Sequence, residues 1–97
     1  MARSRAYKEY LHEQLQDPKA AAAYLNAALE DDDLHVFLLA LRDIAEAQGG
    51  MSHLANETDL NRESLYKTLS IRGNPRLSSL RSVLGACGLS ISIQPSH

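Results

Sequence analysis

Met51-Ser-His-Leu-Ala-Asn-Glu-Thr-Asp-Leu-Asn-Arg-Glu-Ser-Leu-Tyr-Lys-Thr-Leu69 reads as two short helices joined by a tight turn. Ser52 is placed to cap the first helix, whose inward face is Leu54 and Ala55. Thr58-Asp59-Leu60 forms the turn, and Asn61 caps a second helix with Leu65 and Leu69 facing inward. An Asn side-chain oxygen accepts a backbone N–H that a helix start leaves unpaired. The outward face of the second helix carries Arg62, Glu63, Ser64, Tyr66 and Lys67. Such a face fits a DNA major groove and hydrogen-bonds base edges and phosphates. The pattern predicts a helix-turn-helix at 51–69.

The flanks extend the helical pattern. Upstream, Leu34 to Gln48 is the strongest helix, with Leu34, Phe37, Leu38, Leu41, Ile44 and Ala45 forming a wide apolar stripe. Gly49-Gly50 ends it, since glycine takes a left-handed C-cap without a Cβ clash. Glu30-Asp31-Asp32-Asp33 lacks the spaced ligands and glycine of a calcium loop, so Asp32 or Asp33 is read as the cap of that helix. Before it, Asp17-Pro18 starts a helix to Leu29 with an inward stripe of Ala21, Tyr24, Leu25, Ala28 and Leu29. Ala6 to Gln16 is an amphipathic helix carrying Tyr7, Tyr10, Leu11 and Leu15, and the tyrosines are assigned to core packing.

Downstream, Ser70-Ile-Arg-Gly-Asn-Pro75 is a turn-rich loop. A helix from about Leu77 to Cys87 follows, with Leu77, Leu80, Val83 and Leu84 inward and Gly88 as its cap. The period then changes. Leu89, Ile91 and Ile93 alternate with Ser90, Ser92 and Gln94, which reads as a two-faced β-strand stopped by Pro95. The chain offers this strand no partner, so pairing with a second copy across a two-fold axis is expected, through Leu89, Ile91 and Ile93.

Composition narrows the function. The chain has 97 residues, one domain's worth, and a net charge of −2. Residues 1–50 hold five Lys/Arg against nine acids, and residues 51–97 hold five against three, so the front is −4 and the rear +2. The basic excess lies with the helix-turn-helix, where a phosphate-facing surface needs it. The single Cys87 allows no internal disulfide. With no apolar run of membrane-spanning length and no hydrophobic region behind Met-Ala-Arg-Ser-Arg, a cytoplasmic location without membrane contact is expected. His12, His35, His53 and His97 lack metal-ligand spacing, and no catalytic triad or paired-carboxylate arrangement is evident. Neither an enzyme nor a metal or other cofactor is expected.

The succession resembles the probable addiction module antidote family, antitoxins of Cro-type fold paired with RelE/ParE-like toxins. The resemblance runs through Tyr24-Leu-Asn-Ala-Ala-Leu-Glu30, Phe37-Leu-Leu-Ala-Leu-Arg-Asp-Ile-Ala45, Met51-Ser-His-Leu-Ala55, Leu60-Asn-Arg-Glu-Ser-Leu-Tyr-Lys-Thr-Leu69, Gly73-Asn-Pro75 and Leu77-Ser-Ser-Leu80, covering roughly residues 17–95. It implies a mainly α, phage-repressor-like (lambda repressor-like) helical DNA-binding domain that binds its own operator as a dimeric repressor and neutralises a cognate toxin. Residues 18–88 form the helical domain, 1–17 an additional N-terminal helical extension, and 89–97 the dimerising strand. Two positions depart from the Cro-type pattern. Asp59 stands where a turn glycine with positive φ is usual, and Thr68 where an aliphatic residue commonly packs.

The DNA-contact candidates follow. Arg62 suits a guanine edge and Lys67 a phosphate; Ser64 and Tyr66 lie on or near the same surface, with Asn61 at the helix tip. Ser52 offers a hydroxyl and backbone N–H to phosphate, and Arg72 and Asn74 are backbone candidates from the loop. Glu63 either accepts from a cytosine amine or closes a capping box near Asn61. The acidic front half is the expected surface for a basic toxin, the alternative being that its helices only pack on the domain. Two other functions stay open: a toxin-binding module that has lost operator binding, and a stand-alone prophage-type repressor with no toxin. A small basic protein encoded immediately upstream would favour the antidote readings.

Overall fold

The computed structural model describes residues 5–96 and contains, among them, six helices and no strand. They are α1 (Arg5–Gln14), α2 (Pro18–Leu29), α3 (His35–Ala47), α4 (Gly50–Glu57), α5 (Arg62–Thr68) and α6 (Leu77–Ala86). Residues 1–4, which begin the expected N-terminal extension, and His97, which ends the expected strand, lie outside the described residues.

Helix α3 is central, packing against α1, α2 and α4, while α4 packs against α5 and α6. The reason is its composition: Leu38, Ala40, Leu41, Ile44, Ala45 and Ala47 are all buried, so it presents apolar side chains to several neighbours. Two polar contacts fix those neighbours. Tyr24 Oη donates to Asp43 Oδ2 at 2.7 Å, locking α2 to α3. Gln48 Nε2 donates to the Leu15 carbonyl at 3.1 Å, holding the end of α1 against the end of α3. Leu11 and Leu15 are buried in the same cluster as Leu41 and Leu65. The first helix therefore contributes to the core through Leu11.

The helix ends follow the local chemistry. Asp17 caps α2 by accepting from the Lys19 N–H at 3.1 Å, with Pro18 in the first turn. Between α2 and α3, Asp31 Oδ1 accepts from the Asp33 N–H at 2.8 Å. Asp33 Oδ1 accepts from the His35 N–H at 3.0 Å and faces His35 Nδ1 at 2.9 Å. Asp33, not Asp32, is thus the capping carboxylate. The His35 backbone donor, followed by its ring, holds the Asp33 carboxyl below the usual carboxylate range. At the far end Gly88, with φ 79°, lets α6 close in a Schellman turn. Its N–H donates to the Gly85 carbonyl at 3.1 Å and the Leu89 N–H to Leu84 at 2.8 Å.

Several expectations need correction. Tyr7 and Tyr10 are exposed, since α1 buries only the narrow edge that carries Leu11. Leu29, Leu34 and Leu77 lie at helix ends, where no neighbouring element covers them, and are exposed as well. The tail does not form the expected strand. A strand needs a ladder partner, and this chain provides none. Leu89 instead packs against the helical core, with its N–H taken up by the end of α6. Ile91 lies along a trough beside α2 and α6, while Ile93 is 88% exposed.

Candidate nucleic-acid interface

Helices α4 and α5 are adjacent in the chain and packed on each other across residues 58–61. Met51, Leu54, Leu65 and Leu69 are buried between them and the rest of the core. The turn is built by Thr58. Its hydroxyl donates to the Leu54 carbonyl at 3.0 Å and accepts from the Leu60 N–H at 3.3 Å. This threonine takes over the bend, and among the described residues no non-glycine has positive φ, so Asp59 does not adopt the left-handed conformation expected of it. Thr68 is half-buried and does not interrupt the packing of Leu65 and Leu69, both fully covered.

Asn61 caps α5 as its sequence position predicts, accepting from the Ser64 N–H at 2.7 Å. The oxygen is thereby used, and the amide N–H2 is left as a donor at the helix tip. Ser64 is half-buried and holds the third helical position, so a capping box would need its acid there. Glu63 lies one residue too early for that box. It faces solvent with Lys67, Nζ to Oε1 3.7 Å, one turn apart on α5. Arg62 and Lys67 are both exposed.

Tyr66 is half-buried against the core, and its ring lies under two guanidinium groups. Arg62 stands 5.8 Å and Arg42 5.1 Å from the ring centroid. Arg42, contributed by α3, is the residue that sequence reasoning missed. Its one-turn partner Glu46, at 3.4 Å, is legible in the spacing, but its meeting with Tyr66 depends on how α3 and α5 pack. The result is an aromatic platform holding two cations at one edge of the α5 face.

Ser52 is exposed but does not cap α4, which starts two residues earlier at Gly50, after Gly49 with φ 116°. Its backbone N–H still lies in the first turn, where helices leave donors unpaired. Arg72 and Asn74 are exposed in the loop after α5. That loop is folded tightly: the Gly73 N–H donates to the Ser70 carbonyl at 2.9 Å, and a Cβ at position 73 would collide with the Thr68 carbonyl oxygen. Arg72 and Asn74 therefore sit at a fixed place just beyond α5, although they line the apolar trough and do not lie on the α5 face itself. The remaining three residues singled out for dimerisation, Leu89, Ile91 and Ile93, are on the tail, away from α5 in the sequence.

Among the described residues no group of three or more His, Cys, Asp or Glu is placed to hold a metal ion. Cys87 is buried, and burial pushes its thiol up to about 11. No helix among the described residues is long and apolar enough to cross a membrane.

Comparison with known proteins adds a family. Residues 6–95 match the probable addiction module antidote protein family. A Haemophilus influenzae protein described as uncharacterized is 38% identical over 85 residues, spanning 88% of this chain and 87% of the relative. No solved structure matches the chain.

Proposed function

The chain belongs to the probable addiction module antidote family, and on that premise we propose that it is an antitoxin that both neutralises a RelE/ParE-like toxin and represses its own operator as a DNA-binding homodimer. Family membership supports the antitoxin role and implies a toxin partner. Operator binding is inferred from the α4–α5 pair, read as a Cro-type helix-turn-helix in a phage-repressor-like domain over 18–88.

The observation that carries the DNA reading is the division of α5 between two faces. Leu65 and the following Leu69 are completely buried, while Arg62 and Lys67 are exposed beside the capping Asn61. Burial anchors the helix to a rigid core, and the opposite face presents donors to a groove. In this reading Arg62 addresses a base edge, Lys67 and Arg72 address phosphates, and Ser52 offers a backbone N–H. Asn61, Ser64 and Asn74 supply shorter-range hydrogen bonds. Tyr66 acts as the platform under Arg62.

A gel shift on the chain's own promoter tests the reading directly. Retarded operator at a protein concentration that leaves random DNA free supports it. Arg62→Ala is expected to weaken operator binding by about 1–3 kcal/mol while sparing random DNA. Equal loss on both would show that Arg62 touches only phosphate.

One observation favours a second reading, an antidote that no longer binds an operator. Glu63 stands on the same face as Lys67 and pairs with it, placing a carboxylate where phosphate would approach. No operator shift alongside full toxin neutralisation would establish that reading. Family membership counts against the stand-alone repressor, for which toxin binding would be absent.

A further inference from the structure

The α5 face leaves an apolar concavity of the chain unexplained. Beside α3 and α6 runs an open trough of about 710 Å³, lined by Leu29, Leu34, Phe37, Leu80 and Ile91. Leu34 is 67% exposed and Leu29 51%. Single exposed aliphatic residues are ordinary on a protein surface, but several gathered in one concavity mark a surface that another molecule covers.

We propose that this trough is where the toxin docks, and that it receives the apolar face of an amphipathic helix flanked by basic residues. The proposal rests on the antidote reading above. Its shape argument is that a trough between helices takes side chains repeating at one-turn spacing from a partner helix. Its charge argument comes from the chain itself. Leu29 and Leu34 line the trough and bracket Glu30-Asp31-Asp32-Asp33 in the chain, so four exposed acids stand next to its lining on that side. Asp31 and Asp33 are engaged in building the α2–α3 corner. Glu30 and Asp32 are free of that task. Arg72 and His35 are the basic side chains that line the trough, and His35 faces Asp33 at 2.9 Å, so the four acids leave this side acidic on balance.

This balance selects among occupants. Nucleic acid is disfavoured, because the acidic side repels phosphate. A second copy of the chain is disfavoured too. A two-fold contact sets the same patch against itself, which offers the acids of that side little basic surface beyond Arg72. A basic helix satisfies both the apolar floor and the acidic side.

The test uses the full chain and the purified product of the adjoining reading frame, taken as the toxin. Two double variants are made at exposed positions outside the DNA face, Leu29→Glu with Leu34→Glu, and Glu30→Lys with Asp32→Lys. Thermal melts and the operator gel shift verify that each is folded. The first pair is expected to raise the Kd for toxin by about 30-fold or more, the second by about tenfold with a flatter salt dependence. Neutralisation of the toxin in growing cells should fall in parallel. Two variants that bind and neutralise like the unmodified chain overturn the trough and leave the antidote reading intact. An unmodified chain that fails to bind the toxin overturns both. Conversion of a dimer to a monomer by Leu29→Glu with Leu34→Glu, at unchanged toxin affinity, would assign the trough to self-association and overturn the proposal.

Discussion

Tyr66 shows what a residue name does and does not disclose. Its position on the outward half of α5 is legible from helical spacing, and so is the Asn61 cap that starts the helix. The two guanidiniums on its ring are not, because Arg42 is 24 positions away and comes close only when α3 and α5 pack. If the ring holds Arg62 for DNA, Tyr66→Phe should leave operator affinity within about twofold, while Tyr66→Leu should cost about 0.5–1 kcal/mol. Equal losses in a fluorescence-anisotropy titration would instead assign the effect to the hydroxyl. Cys87 offers a separate probe. Burial penalises the thiolate and pushes the thiol up to about 11 from its ordinary 9.0. The folded state therefore holds a proton that the unfolded state releases, and stability falls as pH rises from about 9 to 11. Thiol labelling at pH 8 should follow the unfolding transition, with rapid labelling of the native chain as the contrary result. Gly73→Ala should destabilise the fold by about 1–3 kcal/mol, measured by urea denaturation, because the new Cβ meets the Thr68 carbonyl oxygen.

At the scale of elements, the sequence specifies the helices better than what covers them. Pro18–Leu29 is predicted to the residue, since Asp17-Pro18 and the acidic run mark both ends by local chemistry. The α4–α5 turn is legible for the same reason, although Thr58 bends it and not Asp59. The apolar positions at helix ends mislead, because periodicity gives a direction and not the presence of a neighbour: Leu29, Leu34 and Leu77 stay more than half exposed. The tail misleads for a related reason. Alternation fits a strand, but a strand exists only with a partner, and Leu89 finds better burial on the helical core. The start of α3 carries an element-level prediction. The Asp33 carboxyl is held below its ordinary value of 3.8 by the His35 N–H and ring, so its contribution is present above that value. It is lost as pH falls through the lower folded value. Asp33→Ala should therefore weaken the α3 start at pH 7, lowering the urea midpoint, and the deficit relative to the unmodified chain should vanish in strong acid. A deficit that persists unchanged there would exclude the carboxylate as its source.

For the whole molecule, burial decides how the front half can be tested. Leu11 and Leu15 belong to the core that also holds Leu41 and Leu65, so removing α1 to test toxin binding would also remove packing from the core on which α4 and α5 rest. Point changes on the exposed surface separate what truncation confounds, and the same logic applies to self-association. A helix-turn-helix repressor engages two half-sites through a two-fold dimer, with the spacing of the recognition helices fixed by the dimer contact. For the proposed homodimer the tail offers an exposed apolar side chain without a strand, because Leu89 anchors it to the core while Ile93 stands 88% exposed. Deleting the whole tail would unseat Leu89, whereas Ile93→Asp leaves the anchor in place. This variant is expected to run as a monomer in light scattering, with an unchanged melting profile and operator affinity lowered by at least about tenfold, since one half-site no longer recruits the second. Toxin affinity should stay the same, because the trough lies on each chain separately. A variant that remains dimeric would move the two-fold contact off the tail, and a monomer with full operator affinity would mean that a single α5 suffices to hold the DNA.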